Sequence, residues 1–151
     1  MSDGLATLRE LAERQRDAAR AALMQAEAHS NRTLAQLDQL SAYEADYRNR
    51  APGLAGVAAP IDLLRCHEGF MGRIDQALAQ QREAVRRAEA ELVHRRQSLR
   101  QAELKLASVR KLMERRQAEQ QRTESRREQR QTDEAALQRH RRTATGFGGL
   151  H

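Results

Sequence analysis

The sequence predicts an all-α protein, a long antiparallel two-helix coiled-coil hairpin with an extended C-terminal helix. Only 3% of the 151 residues are aromatic and 32% are charged, which is too little apolar material for a globular core of this length. Leu92, Leu99, Leu106 and Met113 recur every seven residues, the spacing of a coiled-coil seam. Both prolines lie with glycines in residues 50–60, where a helical chain can reverse.

Helix one is expected over about residues 5–50. Its apolar residues follow alternating steps of three and four, the periodicity of one helix face. Many are alanines, which let two helices approach closely but bury less apolar surface than leucines, so this helix should depend on a partner. The seam comprises Leu5, Leu8, Ala12, Ala19, Ala22, Ala26, Leu40, Tyr43 and Tyr47, with polar Gln15, His29, Thr33 and Gln36 in the same register.

The chain is expected to reverse over about residues 51–59. Pro60 suits the first turn of the following helix, because a backbone N–H would have no helical partner there. Asp62 places negative charge beside the positive N-terminal end of that helix. If the turn is centred near residue 55 or 56, two residues that face each other across the hairpin have residue numbers that add up to about 111. Leu40 is then predicted to lie beside Met71.

Helix two is expected over about residues 60–142, followed by a disordered tail over residues 143–151 that contains three glycines. An inserted step of four residues shifts the seam register near residue 78 and should locally unwind the supercoil. Residues 1–151 are expected to form a single coiled-coil domain. The seam of helix two comprises Leu63, His67, Phe70, Ile74 and Ala77, and then Leu78, Gln81, Val85, Ala88, Leu92, Leu99, Ala102, Leu106, Val109 and Met113.

Helix two is too long to be paired along its whole length, and its end is strongly polar. We call residues 114–142 the C-terminal arm. Its seam positions hold arginine, glutamine and threonine, which cannot drive association by burial. Residues 109–151 hold 11 basic and 6 acidic residues, so most of the net charge of +6 lies at this end. Ion pairs such as Glu124 with Arg127 are expected to support the isolated helix weakly.

The sequence gives no sign of an enzyme, a metal site or a cofactor. It has no glycine-rich phosphate loop, no paired cysteines and no nucleophile turn, and its five histidines are scattered. Cys66 and His67 diverge by about 100° on a helix and have no further ligands nearby, so Cys66 is interpreted as an ordinary thiol. No run of 18 apolar residues and no secretory signal occur, so a cytoplasmic protein without a transmembrane segment is expected.

Two classes of partner fit the charged and aromatic residues. The arginines of the arm can bind phosphates, which keeps a basic coiled-coil nucleic-acid-binding protein as an alternative. Interspersed glutamates and the absence of stacking aromatics argue against specific nucleic-acid binding. Tyr43, Tyr47 and Phe70, which we call the aromatic patch, lie near the predicted turn. Such residues either plug the end of the seam or anchor a protein partner.

Three stretches carry a resemblance to a known family. They are LATLRELAE over residues 5–13, Tyr43-x-x-x-Tyr47-Arg48-Asn49, and Phe70-x-x-x-Ile74-x-x-Ala77. Together with the order of a short helix, a turn and a longer basic helix, these stretches resemble the FliJ family of flagellar export proteins. The resemblance covers about residues 5–140. The resemblance implies a non-enzymatic component of the flagellar type III export apparatus, needed for motility and chemotaxis. It also implies a peripheral location at the cytoplasmic face of the inner membrane, at the flagellar base.

The resemblance further implies three partners. The hairpin would resemble the stalk of rotary ATPases and insert into the hexameric export ATPase, contact the cytoplasmic domain of the export gate membrane protein, and help recycle export chaperones. The arm would meet the ATPase ring through Arg115, Arg116, Arg122, Arg126, Arg127 and Arg130. Carried over by position, the gate-binding residues are Gln36, Leu40, Tyr43 and Tyr47 on helix one, with Phe70, Ile74, Ala77 and Gln81 on helix two.

The sequence departs from the family pattern at two of these positions. Gln81 stands where the pattern has histidine, and Ile74 stands where it has leucine, so the contact chemistry differs at that edge. The equivalent stalk of a virulence-type secretion system would leave nearly the same sequence features and stays open as an alternative.

Overall fold

The computed structural model describes residues 2–53 and 60–148, with side chains described for residues 4–53 and 60–146. It confirms the predicted fold class. Helix α1 runs over Ser2–Asn49 and helix α2 over Ile61–Gly148. The two helices pack against each other, 96% of the described residues are helical, and the described ranges contain no strand.

Backbone hydrogen bonds between residues three positions apart close the C-terminal end of α1. The backbone N–H of Arg50 donates to the carbonyl of Tyr47 at 3.2 Å, and that of Ala51 donates to the carbonyl of Arg48 at 3.1 Å. These bonds satisfy carbonyls that lack a partner in the last turn. Gly53 then has a φ of 88°, in the left-handed region that favours glycine. The chain therefore leaves the helix axis at the position where the sequence predicts reversal.

Helix α2 begins where proline and aspartate predict a helix start. The Pro60 carbonyl accepts hydrogen bonds from the N–H groups of Leu63 at 3.1 Å and Leu64 at 3.2 Å. Asp62 lies in the first turn, where negative charge stabilises the N-terminal end of the helix. The rest of the predicted turn, residues 54–59, lies outside the described residues.

Contacts divide the chain into two units. One, which we call the paired unit, comprises residues 11–104, and the other, the terminal unit, comprises residues 1–10 and 105–151. The organisation of the chain as a single domain stays a prediction.

The core of the paired unit is formed by small residues of α1 and by both large and small residues of α2. Ala12 and Ala26 are buried on α1, and Ile74, Leu78, Val85 and Ala88 are buried on α2. Burial confirms the α2 seam at these positions, whereas Leu63, also predicted in the seam, is 52% exposed. The α1 seam was predicted less well, because the predicted seam residues Gln15, His29 and Gln36 are exposed. Ser30, outside the predicted seam, is buried together with Thr33.

The axial register differs from the predicted one by about one helical turn. Thr33 contacts Gln81, and Tyr47 contacts His67 and Phe70. The numbers of contacting pairs in the paired unit add up to between 113 and 117, not to about 111. The heptad pattern fixes which face of each helix is buried, but sliding one helix by about a turn leaves that face buried. The centre of the turn was therefore a poor guide to the register.

In the terminal unit, burial fades along α2. Leu106 is only 2% exposed, and Val109 and Met113 are half-buried. All residues from 114 to 146 are exposed. The extension of α2 is therefore a polar helix, as its composition predicted.

The helix continues into the predicted disordered tail. Residues 143–148 are helical, and residues 149–151 lie outside the described residues. The Thr143 hydroxyl donates to the carbonyls of Arg139 and His140, and the Thr145 hydroxyl donates to those of Arg141 and Arg142. These bonds occupy side-chain groups that would otherwise compete with the helix for backbone partners. The expectation of disorder was therefore wrong for residues 143–148.

Neither helix contains, within its described residues, a stretch long and apolar enough to cross a membrane.

Candidate partner-binding surfaces

The aromatic patch of the paired unit is assembled from both helices. The Tyr43 and Tyr47 rings stack with centroids 6.3 Å apart, and Phe70 of α2 lies 4.5 Å from Tyr47 and 6.5 Å from Tyr43. These separations fall in the range of favourable aromatic pairs. The predicted clustering of the three rings is therefore confirmed.

The three rings differ in exposure. Tyr43 is 50% exposed, whereas Tyr47 and Phe70 are half-buried. Tyr47 and Phe70 thus cover the seam between the helices, and Tyr43 presents one edge of the cluster to the surroundings. The burial of Tyr47 and Phe70 agrees with a plug at the end of the seam, and the exposure of Tyr43 leaves the anchor for a protein partner as a prediction.

Two further residues, His67 and Arg73, extend the patch. The His67 ring stacks on Tyr47 with centroids 4.9 Å apart and an interplanar angle of 9°. The Arg73 guanidinium lies over the Phe70 ring, 5.7 Å from its centroid, within cation–π range. Both residues are three positions from Phe70 and therefore share its helix face. That spacing was the signal available in the sequence.

A polar cluster lies farther along the same unit. The Gln81 side-chain amide donates to the Thr33 carbonyl at 2.9 Å and to the Gln36 Oε1 at 3.2 Å. The Thr33 hydroxyl donates to the Ser30 carbonyl at 2.9 Å. Gln81 therefore uses its amide to bind α1, although the resemblance places it among the gate-binding residues.

The remaining residues of the expected gate-binding surface differ in how deeply they are buried. Ile74 is only 5% exposed, so it belongs to the core beneath the surface. Leu40 and Ala77 are half-buried, and Gln36 is exposed. The structure thus brings the predicted residues into the same unit, but it leaves chiefly Tyr43 and Gln36 accessible.

The arginines assigned to the arm lie on exposed positions of α2. Arg115, Arg116, Arg122, Arg126, Arg127 and Arg130 are all exposed. The expected ion pair between Glu124 and Arg127 is absent from the described part of the chain. Two long, exposed side chains lose rotamer freedom when they pair and gain little in water, which explains why the spacing alone did not produce the bond.

Ion pairs do form on α2 within the paired unit. Arg86 and Arg87 both contact the Glu83 carboxylate, at 2.5 and 3.8 Å, and Arg95 contacts Glu91 at 2.7 Å. The hydrogen bond and the positive charge of Arg86 hold the pKa of Glu83 below its ordinary value, with a further contribution from Arg87. The basic residues of this region are therefore partly neutralised within their own helix.

In residues 2–53 and 60–148 no group of three or more His, Cys, Asp or Glu side chains is placed to hold a metal ion. Cys66 is exposed.

The fold and its exposed side chains define an all-α protein of two long packed helices that exposes an aromatic ring and a series of arginines. The comparison with protein families then identifies the particular kind. A family model described as Flagellar FliJ protein matches residues 1–145, and the chain belongs to the FliJ family. The comparison with curated proteins gives no match.

Membership of this family has direct consequences. FliJ proteins are non-enzymatic components of flagellar type III protein export, so the resemblance seen in the sequence is confirmed at the level of the family. The flagellar assignment is also favoured over the stalk of a virulence-type system, which the sequence had left open.

Proposed function

We propose that this protein is a stalk and coupling protein of the flagellar export apparatus. It links the hexameric export ATPase to the cytoplasmic domain of the export gate and helps recycle export chaperones. One observation carries the proposal most directly. Tyr43 is 50% exposed while its ring rests on two other aromatic rings, an arrangement suited to anchoring a protein partner.

The aromatic patch is proposed as the gate-binding surface. Tyr43 supplies the accessible ring, and Tyr47 and Phe70 hold it in place because their own positions are fixed by contacts across the two helices. A prearranged aromatic side chain loses little conformational entropy on binding. Gln36 and Leu40 extend the surface along α1, whereas Ile74, Ala77 and Gln81 act from beneath it.

The C-terminal arm is proposed as the ATPase-binding element. Its residues are exposed from 114 onward, and its seam positions are too polar to bury against another helix of the same kind. A ring of ATPase subunits can enclose a single helix of this type and meet its arginines with acidic groups.

Several further properties belong to the same proposal. The protein acts without enzymatic activity or a cofactor, as a single coiled-coil domain, and regulates the ATPase by contact. It works at the cytoplasmic face of the inner membrane, at the flagellar base. Loss of the protein would reduce flagellum assembly, and motility and chemotaxis with it.

The gate-binding proposal is tested by replacing Tyr43 with alanine and titrating the purified gate cytoplasmic domain by calorimetry. Binding should weaken by about 2 kcal/mol, the usual cost of removing an aromatic anchor. Helicity should be unchanged, because Tyr43 is half exposed. Met24→Ala is the matched control, since Met24 is an apolar residue of α1 in the same unit and is 70% exposed.

The control variant should bind the gate domain as the wild-type chain does. Equal binding by all three chains would refute the role of Tyr43. Loss of helicity in parallel with binding would show that the patch is only the end of the core.

A further inference from the structure

Between residues 114 and 131, the charges of the C-terminal arm are separated onto two faces of the helix. At 3.6 residues per turn, the six arginines between residues 115 and 130 fall within a sector of about 140°. In this segment Glu114, Glu124 and Glu128 fall together on the other side of the helix, and only Glu119 lies among the arginines. Beyond it, Asp133 and Glu134 return to the arginine side. We call the arginine sector the basic stripe, and it comprises Arg115, Arg116, Arg122, Arg126, Arg127 and Arg130.

The basic stripe is unfavourable to the isolated helix. Arg122, Arg126 and Arg130 recur every four residues, so that like charges are neighbours on the helix surface and destabilise it. In the described part of the chain, none of these three arginines forms an ion pair. By contrast, the arginines near Glu83 and Glu91 are paired within their helix. A local arrangement that costs helix stability points to a compensating contact outside the helix.

We propose that the arm binds its partner through the basic stripe alone, and that this partner presents an elongated acidic protein surface. The stripe extends over 16 residues, with a rise of about 22 Å from Arg115 to Arg130. The glutamate face then stays in solvent. This inference rests on the proposed function and sharpens it, because an ATPase ring would contact the arm from one side at a time instead of gripping all its faces equally.

Charge and composition favour an acidic protein over a nucleic acid as the partner that binds the basic stripe. Residues 114–146 contain no Phe, Tyr or Trp side chain that could stack on a base. Glu119 lies within the stripe itself, where it would repel a continuous line of phosphates but can meet a basic residue of a protein. A protein surface with mixed, complementary charges therefore fits the stripe better than a uniform phosphate backbone.

Two variants of identical net charge distinguish binding through the basic stripe from binding that depends only on the total charge of the arm. The stripe variant carries Arg122→Gln, Arg126→Gln and Arg130→Gln, and the control carries Gln117→Glu, Gln121→Glu and Gln131→Glu. Each lowers the net charge by three, but the control residues lie outside the basic stripe and toward the glutamate face. Both are labelled at Cys66, the single cysteine, which is exposed. Circular dichroism is used to check that both variants retain wild-type helicity.

Affinity for the purified flagellar export ATPase is measured by fluorescence anisotropy at 0.1 M salt. The stripe variant should bind about tenfold more weakly than wild type, equivalent to about 1.4 kcal/mol, and the control should stay within about twofold. The difference should shrink at higher salt as the charges are screened. Equal weakening of both variants would overturn the one-face inference and leave the ATPase as partner.

Two further probes keep the inference and the proposed function separable. Failure of the wild-type chain to bind the ATPase overturns the proposed function, while a 20-residue polyglutamate peptide still tests the stripe. Polyglutamate binding that is equally weak in both variants overturns the stripe, and binding lost only in the stripe variant supports it. A random-sequence DNA duplex that binds more tightly than the ATPase, with the same dependence on face, would replace the acidic protein by nucleic acid.

Discussion

Gln81 joins the two helices of the paired unit, and its replacement by alanine gives a measurable change in stability. The substitution removes hydrogen bonds of 2.9 Å to the Thr33 carbonyl and 3.2 Å to the Gln36 side chain. Each is worth about 0.5 to 1.5 kcal/mol net. Freeing the half-buried side chain returns up to about 1.5 kcal/mol of rotamer entropy. We therefore expect the free energy of unfolding to fall by about 1 to 2 kcal/mol.

The assay is urea denaturation followed by helical circular dichroism, with Gln80→Ala as control. Gln80 is the same residue type one position earlier on α2 and is exposed, so its replacement should change stability by under about 0.5 kcal/mol. The difference between the two variants cancels the higher helix propensity of alanine.

A double-mutant cycle with Gln36→Ala tests the hydrogen bond itself. The two substitutions should be less than additive, because both remove the same 3.2 Å bond. Gln81→Ala and Gln80→Ala variants of equal stability would refute the reasoning. Strict additivity with Gln36→Ala would confine the effect to the Thr33 carbonyl.

Two other predictions concern the seam and the exposed ion pairs. Leu106→Ala should lower the free energy of unfolding by about 2 to 5 kcal/mol, because Leu106 is 2% exposed, while Leu112→Ala, at a position 48% exposed, should have a small effect in the same urea titration. Ionised Glu83 should stabilise the folded chain above pH 4.5, its ordinary pKa. This stabilisation should be lost as the pH falls through the lower pKa that Glu83 has in the folded state. Glu83→Gln should remove that loss in acid titrations of helicity, and a pH dependence equal to that of wild type would contradict the role of Arg86.

The sequence was sufficient for the fold class because the signal repeats many times. Leu78, Val85 and Leu106 occupy predicted seam positions and are buried, and a heptad pattern sustained over this length has few alternative structures. Helix α1 was harder to interpret. Small and polar residues give weak periodicity, so buried Ser30 was not distinguished from exposed His29.

The candidate surfaces were predicted as regions but not as contacts. Three aromatic residues in an aromatic-poor chain indicated the patch, yet the stacking of His67 on Tyr47 depends on the axial register. The register in turn depends on the path of the turn and on polar contacts such as that of Gln81. Neither is encoded in the period of the apolar residues. Ile74 was placed in the seam by its periodicity and on the gate-binding surface by the resemblance, and its burial agrees with the seam.

The burial of α1 residues in the hairpin bears on how the chain folds during synthesis. Ala26, Ser30 and Thr33 of α1 are buried, and the Thr33 carbonyl accepts a hydrogen bond from Gln81 of α2. These α1 residues therefore reach their folded surroundings only after this part of α2 has been made. At about 5 to 20 residues per second, translation from the end of α1 to Val85 takes about 2 to 7 s. Closure of the hairpin awaits the synthesis of α2 for at least that time.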